Sequence, residues 1–348
     1  MDARTIEVIG LGVSTVDVIA RVEHLPTPDD VQRALDMTTQ GGGPVATAMV
    51  TLARLGARAA MIDALGDDWR GGLIRDGFAR EGVSVEHLAM RPGHTSATSC
   101  ILVEQASGAR SIVYAPGTAP DITPGELPAE AIASARYLHL NGRHWEAGLE
   151  AIRIARSAGV QISFDGGAGR YRPELDALVP LTDICIVARD FAEQHTHETD
   201  IRAAAETLQH MGPGLVAITD GARGSWVLAR DGRFFHQPAY LFHSALDTTG
   251  CGDSYHGAFL FGLLRGMTLE KTAALASAVA ALNSQALGGR GGLPTYAAAV
   301  AFLAERGELL MDAISPGEAG GYRIRRWVLL ADPDCVFTHR RLMKEQTK

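Results

Sequence analysis

The sequence is poor in the features that mark several classes of protein. Its four cysteines form no CxxC pair and lie near no histidine cluster, which argues against a zinc site and favours reduced thiols. Its 32 basic residues are outnumbered by 40 acidic ones, and the net charge of −8 argues against a general nucleic-acid-binding protein. It has no apolar run of the ~18 residues that span a membrane and no signal peptide. We therefore expect a cytoplasmic protein without nucleic-acid or membrane partners.

Glycine, in contrast, is abundant. The 348 residues include 39 glycines, against a usual share of about 7%. They follow no Gly-X-Y period, which excludes collagen. Because 46% of the residues are hydrophobic and only 21% are charged, the composition also argues against disorder. The excess favours a large globular fold in which the backbone makes many tight turns and close approaches.

From residue 137 onward, short apolar patterns typical of strands alternate with helical patterns. The strand candidates are residues 137–140, 160–164, 184–187 and 215–219, and the helix candidates are 146–157, 200–211, 254–265, 269–286 and 295–306. This alternation predicts an α/β fold with a parallel sheet covered by helices.

Two earlier segments, near residues 12–40 and 97–117, are rich in strand patterns that do not fit the alternation. We expect them to form a small separate sheet, such as a lid over a substrate. The composition changes again after residue 314, where glycine and proline precede a basic stretch. We therefore expect a main domain at 1–314 and a C-terminal extension at 315–348.

The sharpest motif is DTTGCGD at residues 247–253, directly before a predicted helix. Glycines at such a position leave backbone amides pointing at one spot, which favours an anion. Asp253 beside that spot could remove a proton from an attacking hydroxyl while the amides stabilise a transferring phosphoryl group. The alternative is that Asp253 only supports the start of the helix and that the glycines make a turn.

Together with a second motif, this segment resembles the signatures of the ribokinase-like, PfkB-type carbohydrate kinases. The second motif consists of Gly42-Gly43, the helix predicted at 45–55, Gly56 and the GDD sequence that begins at Gly66. The resemblance covers about residues 6–314. It implies a three-layer α/β sandwich with a mainly parallel central sheet and a small β-sheet lid. It also implies an ATP-dependent kinase that phosphorylates a sugar hydroxyl.

The family's phosphoryl-transfer residues match the glycine-rich motif. The resemblance implies that Asp253 is the catalytic base and that the backbone amides of Gly250, Cys251 and Gly252 form the anion hole. Cys251 stands where the family usually has alanine. We expect its thiol to be a small packed side chain rather than a redox switch.

The resemblance also implies a set of residues that bind the sugar. Asp17 matches a ligand of sugar hydroxyls, and Gly42 and Gly43 would bring the backbone close to the sugar. Thr47 stands where the family usually has a sugar-binding asparagine, and its side chain has a shorter reach.

Two arginines are further candidates for binding the substrate. Arg143, at a predicted strand end, and Arg110, on a predicted hairpin, could bind a sulfonate or phosphate group. The alternative for each is a structural ion pair.

The nucleotide site is implied by the sequence TDGARG at residues 219–224, which resembles the family's nucleotide loop. Thr219, Gly221 and Gly224 match its pattern, and we group Thr248 with them. Asn283 would face the adenine, although a solvated polar residue on a helix is the alternative.

ATP and Mg²⁺ are the cofactors that the resemblance implies, and it leaves room for a monovalent cation. The family's Asn-x-x-Glu motif is absent, although Asp190 or Glu193 could substitute through water. We assign no residue as a direct metal ligand. The resemblance further implies a homodimer formed through the lid.

Within the family, several motifs are similar to those of sulfofructose kinases and ketohexokinases. They include GGGP at 41–44, GGRGGLP at 288–294 and LHLNGR at 138–143. We therefore expect a ketose or another sugar derivative as substrate. The rival of a different class is a catalytically silent sugar- or nucleotide-binding protein on the same fold. A Rossmann dehydrogenase is disfavoured because the segment after the first strand lacks the third glycine of its fingerprint.

Overall fold

The computed structural model describes residues 6–308. Thirteen strands are present in this range: β1 (Val8–Leu11), β2 (Thr15–Val22), β3 (Asp36–Gly42), β4 (Ala59–Gly66), β5 (Leu88–Arg91), β6 (Thr98–Glu104), β7 (Arg110–Ala115), β8 (Tyr137–Leu140), β9 (Gln161–Gly166), β10 (Ile184–Ala188), β11 (Leu215–Thr219), β12 (Ser225–Ala229) and β13 (Phe234–Gln237). The same range contains nine α-helices: α1 (Pro44–Leu55), α2 (Trp69–Arg80), α3 (Ala129–Ser134), α4 (Trp145–Ser157), α5 (Arg189–Thr196), α6 (Ile201–Met211), α7 (Cys251–Leu264), α8 (Leu269–Asn283) and α9 (Tyr296–Ala304).

The larger sheet has nine strands in the order β13-β12-β11-β10-β9-β8-β1-β4-β5. The pairs from β11 to β5 are parallel, whereas β12 and β13 are added antiparallel at one edge. The β-α alternation after residue 137 predicted this mainly parallel sheet, and the prediction is confirmed.

Helices cover both faces of the larger sheet, so each central strand is buried on two sides. Side chains alternate between the two faces of a strand. In β10, for example, Ile184 and Ile186 pack into the core that contains α1, α7 and α8, whereas Cys185 and Val187 pack into the core that contains α4 and α6. This burial explains why the parallel strands are near-continuous apolar runs.

The smaller sheet has four strands in the order β3-β2-β6-β7. β6 and β7 form the predicted hairpin, and β2 pairs with β6 in parallel and with β3 antiparallel. Its own small core consists of Ile19, Ile101 and Val103, against which Leu287 packs. A small sheet separate from the main one is therefore confirmed.

Several details differ from the sequence prediction. The helix predicted at 269–286 ends at Asn283. β3 was not predicted because its sequence, DMTTQGG, contains few apolar residues, and most of it is partly or fully exposed. The predicted extension at 315–348 lies outside the described residues. Among the helices described, none is long and apolar enough to cross a membrane.

Candidate active site

A large cavity of about 1640 Å³ lies where the carboxyl ends of the central strands, the small sheet and the start of α7 meet. Ligands of open α/β sheets commonly bind outside the carboxyl ends of the strands. The cavity lining brings together residues that are far apart in the sequence, including Asp17 on β2, Arg143 after β8, Thr219 on β11 and Asp253 on α7. These elements therefore define the candidate site.

The start of α7 contains the turn at which an anion site is predicted, called the anion-binding turn below. Gly250 has φ +71°, and a Cβ atom there would lie 2.5 Å from the carbonyl oxygen of Gly289, so glycine is required. The amides of Gly250 and Gly252 have no hydrogen-bond partner among residues 6–308, whereas the Cys251 amide donates to the carbonyl of Thr248 at 3.3 Å. The predicted anion hole is therefore reduced to two free amides, because that of Cys251 is already engaged.

Asp253 lies in the first turn of α7, and its carboxylate borders the cavity. Burial raises the pKa of Asp253, the neighbouring Arg170 guanidinium lowers it, and Asp165 raises it again. Arg170 Nη1 lies 3.6 Å from Asp253 Oδ1 and 3.9 Å from Asp165 Oδ2. A carboxylate whose pKa is raised in this way is a better proton acceptor than a solvated aspartate.

The Cys251 thiol is packed rather than reactive. Its Sγ donates to the carbonyl of Ala280 at 3.3 Å, and burial raises the pKa of the thiol to about 12. A cysteine in this state is mainly an uncharged thiol at neutral pH. Both observations support the expectation of a small packed side chain, although Cys251 also lines the cavity.

Asp17 also borders the cavity and is buried, with only 6% of its surface exposed. Its Oδ1 accepts a hydrogen bond from the Thr15 hydroxyl at 2.6 Å. Burial raises the pKa of Asp17, while the Thr15 hydroxyl and the nearby Arg290 guanidinium lower it. Gly42 lies on the neighbouring strand β3, where it pairs with Thr15, and a Cβ atom there would collide with the Asp17 carboxylate. The role of Gly42 is therefore to make room for Asp17, and Gly43 lines the cavity beside it.

Thr47 does not line the cavity, contrary to the prediction of a sugar contact. Its side chain is 1% exposed, and its hydroxyl accepts a hydrogen bond from Arg290 Nε at 3.1 Å. Arg290 Nη2 also donates to the carbonyl of Gly42 at 2.9 Å, and the guanidinium lies over the ring of Phe78. Arg290 therefore binds the Thr47 hydroxyl, and sequence analysis missed this role.

The two candidate arginines occupy different positions. Arg110, on β7, donates from Nη1 to the hydroxyl of Thr248 at 2.9 Å and so joins the small sheet to the anion-binding turn. Arg143 borders the cavity and has no ion pair with any residue in the described range. Its positive charge lowers the pKa of Tyr114, which burial raises, and this places Arg143 near the small sheet. The structural ion pair considered for Arg143 is therefore not found in residues 6–308.

The predicted nucleotide loop follows β11 and lines the cavity at Thr219, Gly221 and Gly224. Gly224 has φ +95°. In the same turn, the Asp220 carboxylate forms ion pairs with Arg189 and Arg223, which stabilise the turn. Asp220 and Arg223 of the same loop also line the cavity.

The structure corrects the prediction for Asn283. Its side chain is fully buried, donates to the carbonyl of Gly289 at 2.9 Å and accepts from the amide of Gly292 at 3.2 Å. Both sides of its amide are thus used to hold the loop after α8. The side chain does not reach the cavity where an adenine would lie, and it is not solvated either.

The sequence also matches a known protein family. The sequence profile of the pfkB family of carbohydrate kinases matches residues 3–296. The chain belongs to this family. A nucleoside kinase from Methanothermobacter thermautotrophicus is 28% identical over 84% of this kinase and 94% of its own length. An ATP-dependent ribose-1-phosphate kinase from Halopiger xanaduensis is 27% identical over 86% and 99%, and mouse ketohexokinase is 21% identical over 76% and 91%.

Solved structures show the same fold. A putative ribokinase from Agrobacterium tumefaciens superimposes with a TM-score of 0.78 at 25% identity, covering 88% of this kinase and all of that chain. The ribokinase of Arabidopsis thaliana, solved with ribose and ATP, gives a TM-score of 0.74 at 21% identity over 86% of this kinase and 99% of that chain. The ribokinase-like fold predicted from the motifs is confirmed.

The kinase also contains a polar cluster that sequence analysis did not find. His139 on β8, Asp165 on β9 and His256 on α7 are 0%, 2% and 3% exposed and lie together below Asp253. Burial lowers the pKa of His139 to about 3 and that of His256 to about 4, which keeps both imidazoles neutral. The three residues are separated by 26 and 91 positions in the sequence, so no local pattern marks them.

Proposed function

We propose that this kinase transfers the γ-phosphoryl group of ATP to a hydroxyl of a ketose or a related sugar derivative. The observation that carries the proposal is the position of Asp253 beside the free amides of Gly250 and Gly252, in one cavity with Asp17. A base next to an anion hole is what phosphoryl transfer to an alcohol requires.

In this mechanism Asp17 accepts hydrogen bonds from sugar hydroxyls and orients the acceptor. Asp253 takes the proton from the attacking hydroxyl as the oxygen–phosphorus bond forms and the bond from phosphorus to the ADP oxygen breaks. The amides of Gly250 and Gly252 hold the charge of the transferring group. Arg170, next to Asp253, favours the ionised form of the base before the reaction.

The nucleotide would lie over the loop at Thr219–Gly224, with its phosphates directed toward Gly250 and Thr248. Asp190 and Glu193 line the same cavity and provide the hard oxygen donors that suit Mg²⁺, although Arg189 already binds the Glu193 carboxylate at 2.6 Å. Mg²⁺ bound there would neutralise part of the negative charge of the ATP phosphates. A monovalent cation and a cytoplasmic location stay predictions.

Arg143 supports a substrate that carries an anionic group. It forms no ion pair within residues 6–308 and borders the cavity near Tyr114 of the small sheet. A guanidinium in such a position binds phosphate or sulfonate in a fork geometry. We therefore include ketose phosphates and sulfonated ketoses in the proposed substrate class.

A coupled assay of ADP formation tests this proposal. The panel contains neutral ketoses, ketose phosphates, a sulfonated ketose and nucleosides. We expect turnover with one of the three ketose groups. For an anionic substrate, Arg143→Met should raise KM about tenfold or more, the size of one lost charged hydrogen bond, and should leave the KM for ATP unchanged. The exposed Arg153→Met on α4 is the matched control. Turnover of nucleosides alone would contradict the ketose assignment, and an unchanged KM would contradict the role of Arg143.

A homodimer through the small sheet is a further part of the proposal. The sheet exposes large apolar side chains, among them Met37 at 62%, Ile112 at 50% and Val113 at 72%. Exposed apolar patches often mark an interface. Light scattering of the purified chain should give the mass of two copies, and the mass of one copy would contradict this.

A further inference from the structure

Three buried residues with metal-binding side chains meet under the first turns of α7. His139 stands opposite Ser163 on the neighbouring parallel strand, and Asp165 follows two residues later on that strand. Because side chains alternate along a strand, His139, Ser163 and Asp165 project to the same face of the sheet. That face carries α7, on which His256 lies about one turn after Asp253. The fold therefore directs two imidazoles and one carboxylate into one small volume.

The cluster contains polar atoms that the protein leaves without partners. His139 Nδ1 pairs with the Ser163 hydroxyl at 3.0 Å, which leaves Nε2 without a hydrogen bond. His256 Nδ1 and both carboxylate oxygens of Asp165 also lack hydrogen bonds. Buried polar atoms are rarely left in this state, because removing them from water is costly unless something replaces the water.

The donor set selects the kind of ligand. One ligand atom from each of His139, Asp165 and His256 lies within 4.8 Å of the others. Two imidazole nitrogens with one carboxylate oxygen suit Zn²⁺ and similar first-row divalent ions, whereas Mg²⁺ and Ca²⁺ prefer sets made of oxygen atoms. When His139 Nε2 binds a metal, Nδ1 carries the ring proton and donates it to the Ser163 hydroxyl, which orients the ring in the way that the outer shell of a metal site does.

We propose that His139, Asp165 and His256 bind one divalent transition-metal ion, with Zn²⁺ as the representative, and that a water molecule is the fourth ligand. Asp165 and His256 line the large cavity, which gives the ion and the water a path to the site. The bound ion would join α7 to β8 and β9 beneath the catalytic base. This site is distinct from the Mg²⁺ that accompanies ATP.

Arg170 is the cation closest to this site. Its Nη1 lies 3.9 Å from Asp165 Oδ2, while Asp165 Oδ1 faces His256 Nε2 at 3.5 Å. The carboxylate thus has one oxygen toward the arginine and the other toward the proposed ion. Arg170 also lies 3.6 Å from Asp253, so two carboxylates share its charge. The site is therefore not dominated by positive charge.

Metal titration of the full-length, tag-free and chelator-treated protein tests the proposal. Neither ATP nor sugar is present, so the result does not depend on the proposed kinase substrate. We expect one equivalent of Co²⁺ to give the visible absorption of a four-coordinate site, Zn²⁺ to displace it one for one, and excess Mg²⁺ to leave it unchanged. Zn²⁺ should also raise Tm, because it binds only the folded protein.

Variants assign the binding to these residues. His139→Gln and His256→Asn should each weaken Co²⁺ binding roughly 100-fold, and Asp165→Asn, which preserves the shape of the side chain, should act in the same direction. The matched control is His236→Gln on β13, which should bind as wild type does. Circular dichroism confirms that each variant is folded. Absence of stoichiometric binding to the wild type, or wild-type affinity in folded His139→Gln and Asp165→Asn, would overturn the proposal.

Discussion

The reactivity of Asp253 depends on the charges that face its carboxylate. Burial raises its pKa, and Asp165 raises it further, whereas Arg170, His256 and Arg110 lower it. Arg170 is the largest of the lowering influences and the closest cation, at 3.6 Å. Because a base acts only when it is ionised, the rate of phosphoryl transfer should rise with pH through the pKa of Asp253.

The substitution Arg170→Gln should move the acid limb of kcat/KM to higher pH. It removes the charge that most favours the ionised carboxylate, so the raised pKa of Asp253 increases further. The measurement is the pH profile of kcat/KM for the variant and the wild type. At pH values well above the acid limb, the variant should lose less of its kcat/KM than at pH values below the limb.

The control for this change is Arg153→Gln, which removes an exposed arginine of α4 that pairs with Glu150. Its pH profile should match that of the wild type. An acid limb that stays in place in Arg170→Gln, or moves to lower pH, would show that Arg170 does not set the ionisation of the base.

At the scale of elements, the loop that follows α8 joins the two halves of the site. Gly289 packs against Gly250 in the anion-binding turn, and the Gly288 amide donates to the Asp247 carboxylate at 2.7 Å. On the other side, the Arg290 amide donates to the side chain of Gln40 on β3 at 2.9 Å. One short loop therefore holds the small sheet in register with the anion hole.

Arg290→Met should weaken the binding of the sugar more than that of ATP. The change removes the hydrogen bonds to Thr47 and Gly42 and the charge that lowers the pKa of Asp17, so less of the Asp17 carboxylate is ionised. We expect KM for the sugar to rise about tenfold, with a smaller change in kcat, and Tm to fall. Steady-state kinetics with each substrate varied in turn measure the difference.

Arg290→Lys separates the effect of the positive charge on Asp17 from the effect of the guanidinium hydrogen bonds, because it retains the charge but not the guanidinium fork. It should restore part of the sugar affinity. Arg202→Met on the exposed side of α6 is the matched control and should change neither constant. Equal losses for ATP and sugar would argue that Arg290 only stabilises the fold.

The central elements could be predicted from the sequence because each carries its own signal. The buried strands are short apolar runs, and glycines mark the anion-binding turn. In contrast, β3 is mostly polar, and β12 and β13 are short additions at the sheet edge. Arg290 contacts Thr47 across 243 positions, so this interaction has no local pattern.

Asn283 is a second case in which a long-range contact could not be predicted from the local sequence. A polar residue near the end of a helix after the glycine motif suggested a nucleotide contact. The tertiary structure instead buries it, because the loop at Gly289–Gly292 needs hydrogen-bond partners for its backbone. The type of residue was informative, but the direction of its side chain depended on a loop that folds back onto α8.

The whole molecule places two separately built surfaces around one cavity. The larger sheet and α7 contribute the residues of the proposed nucleotide loop, anion hole and base to the cavity lining, and the small sheet contributes Asp17 and Arg110. The contact from Arg110 to Thr248 at 2.9 Å closes the small sheet over the anion-binding turn.

The most direct test of this account is the turnover of Asp253→Asn, which preserves the size of the side chain but removes the base. We expect kcat to fall by about 10²–10⁴-fold, the usual contribution of a general base. Binding of the sugar and of a non-hydrolysable ATP analogue, measured by thermal shift, should change little. The exposed Asp231→Asn should retain full activity. Wild-type turnover in a folded Asp253→Asn protein would contradict the assignment of Asp253 as the catalytic base.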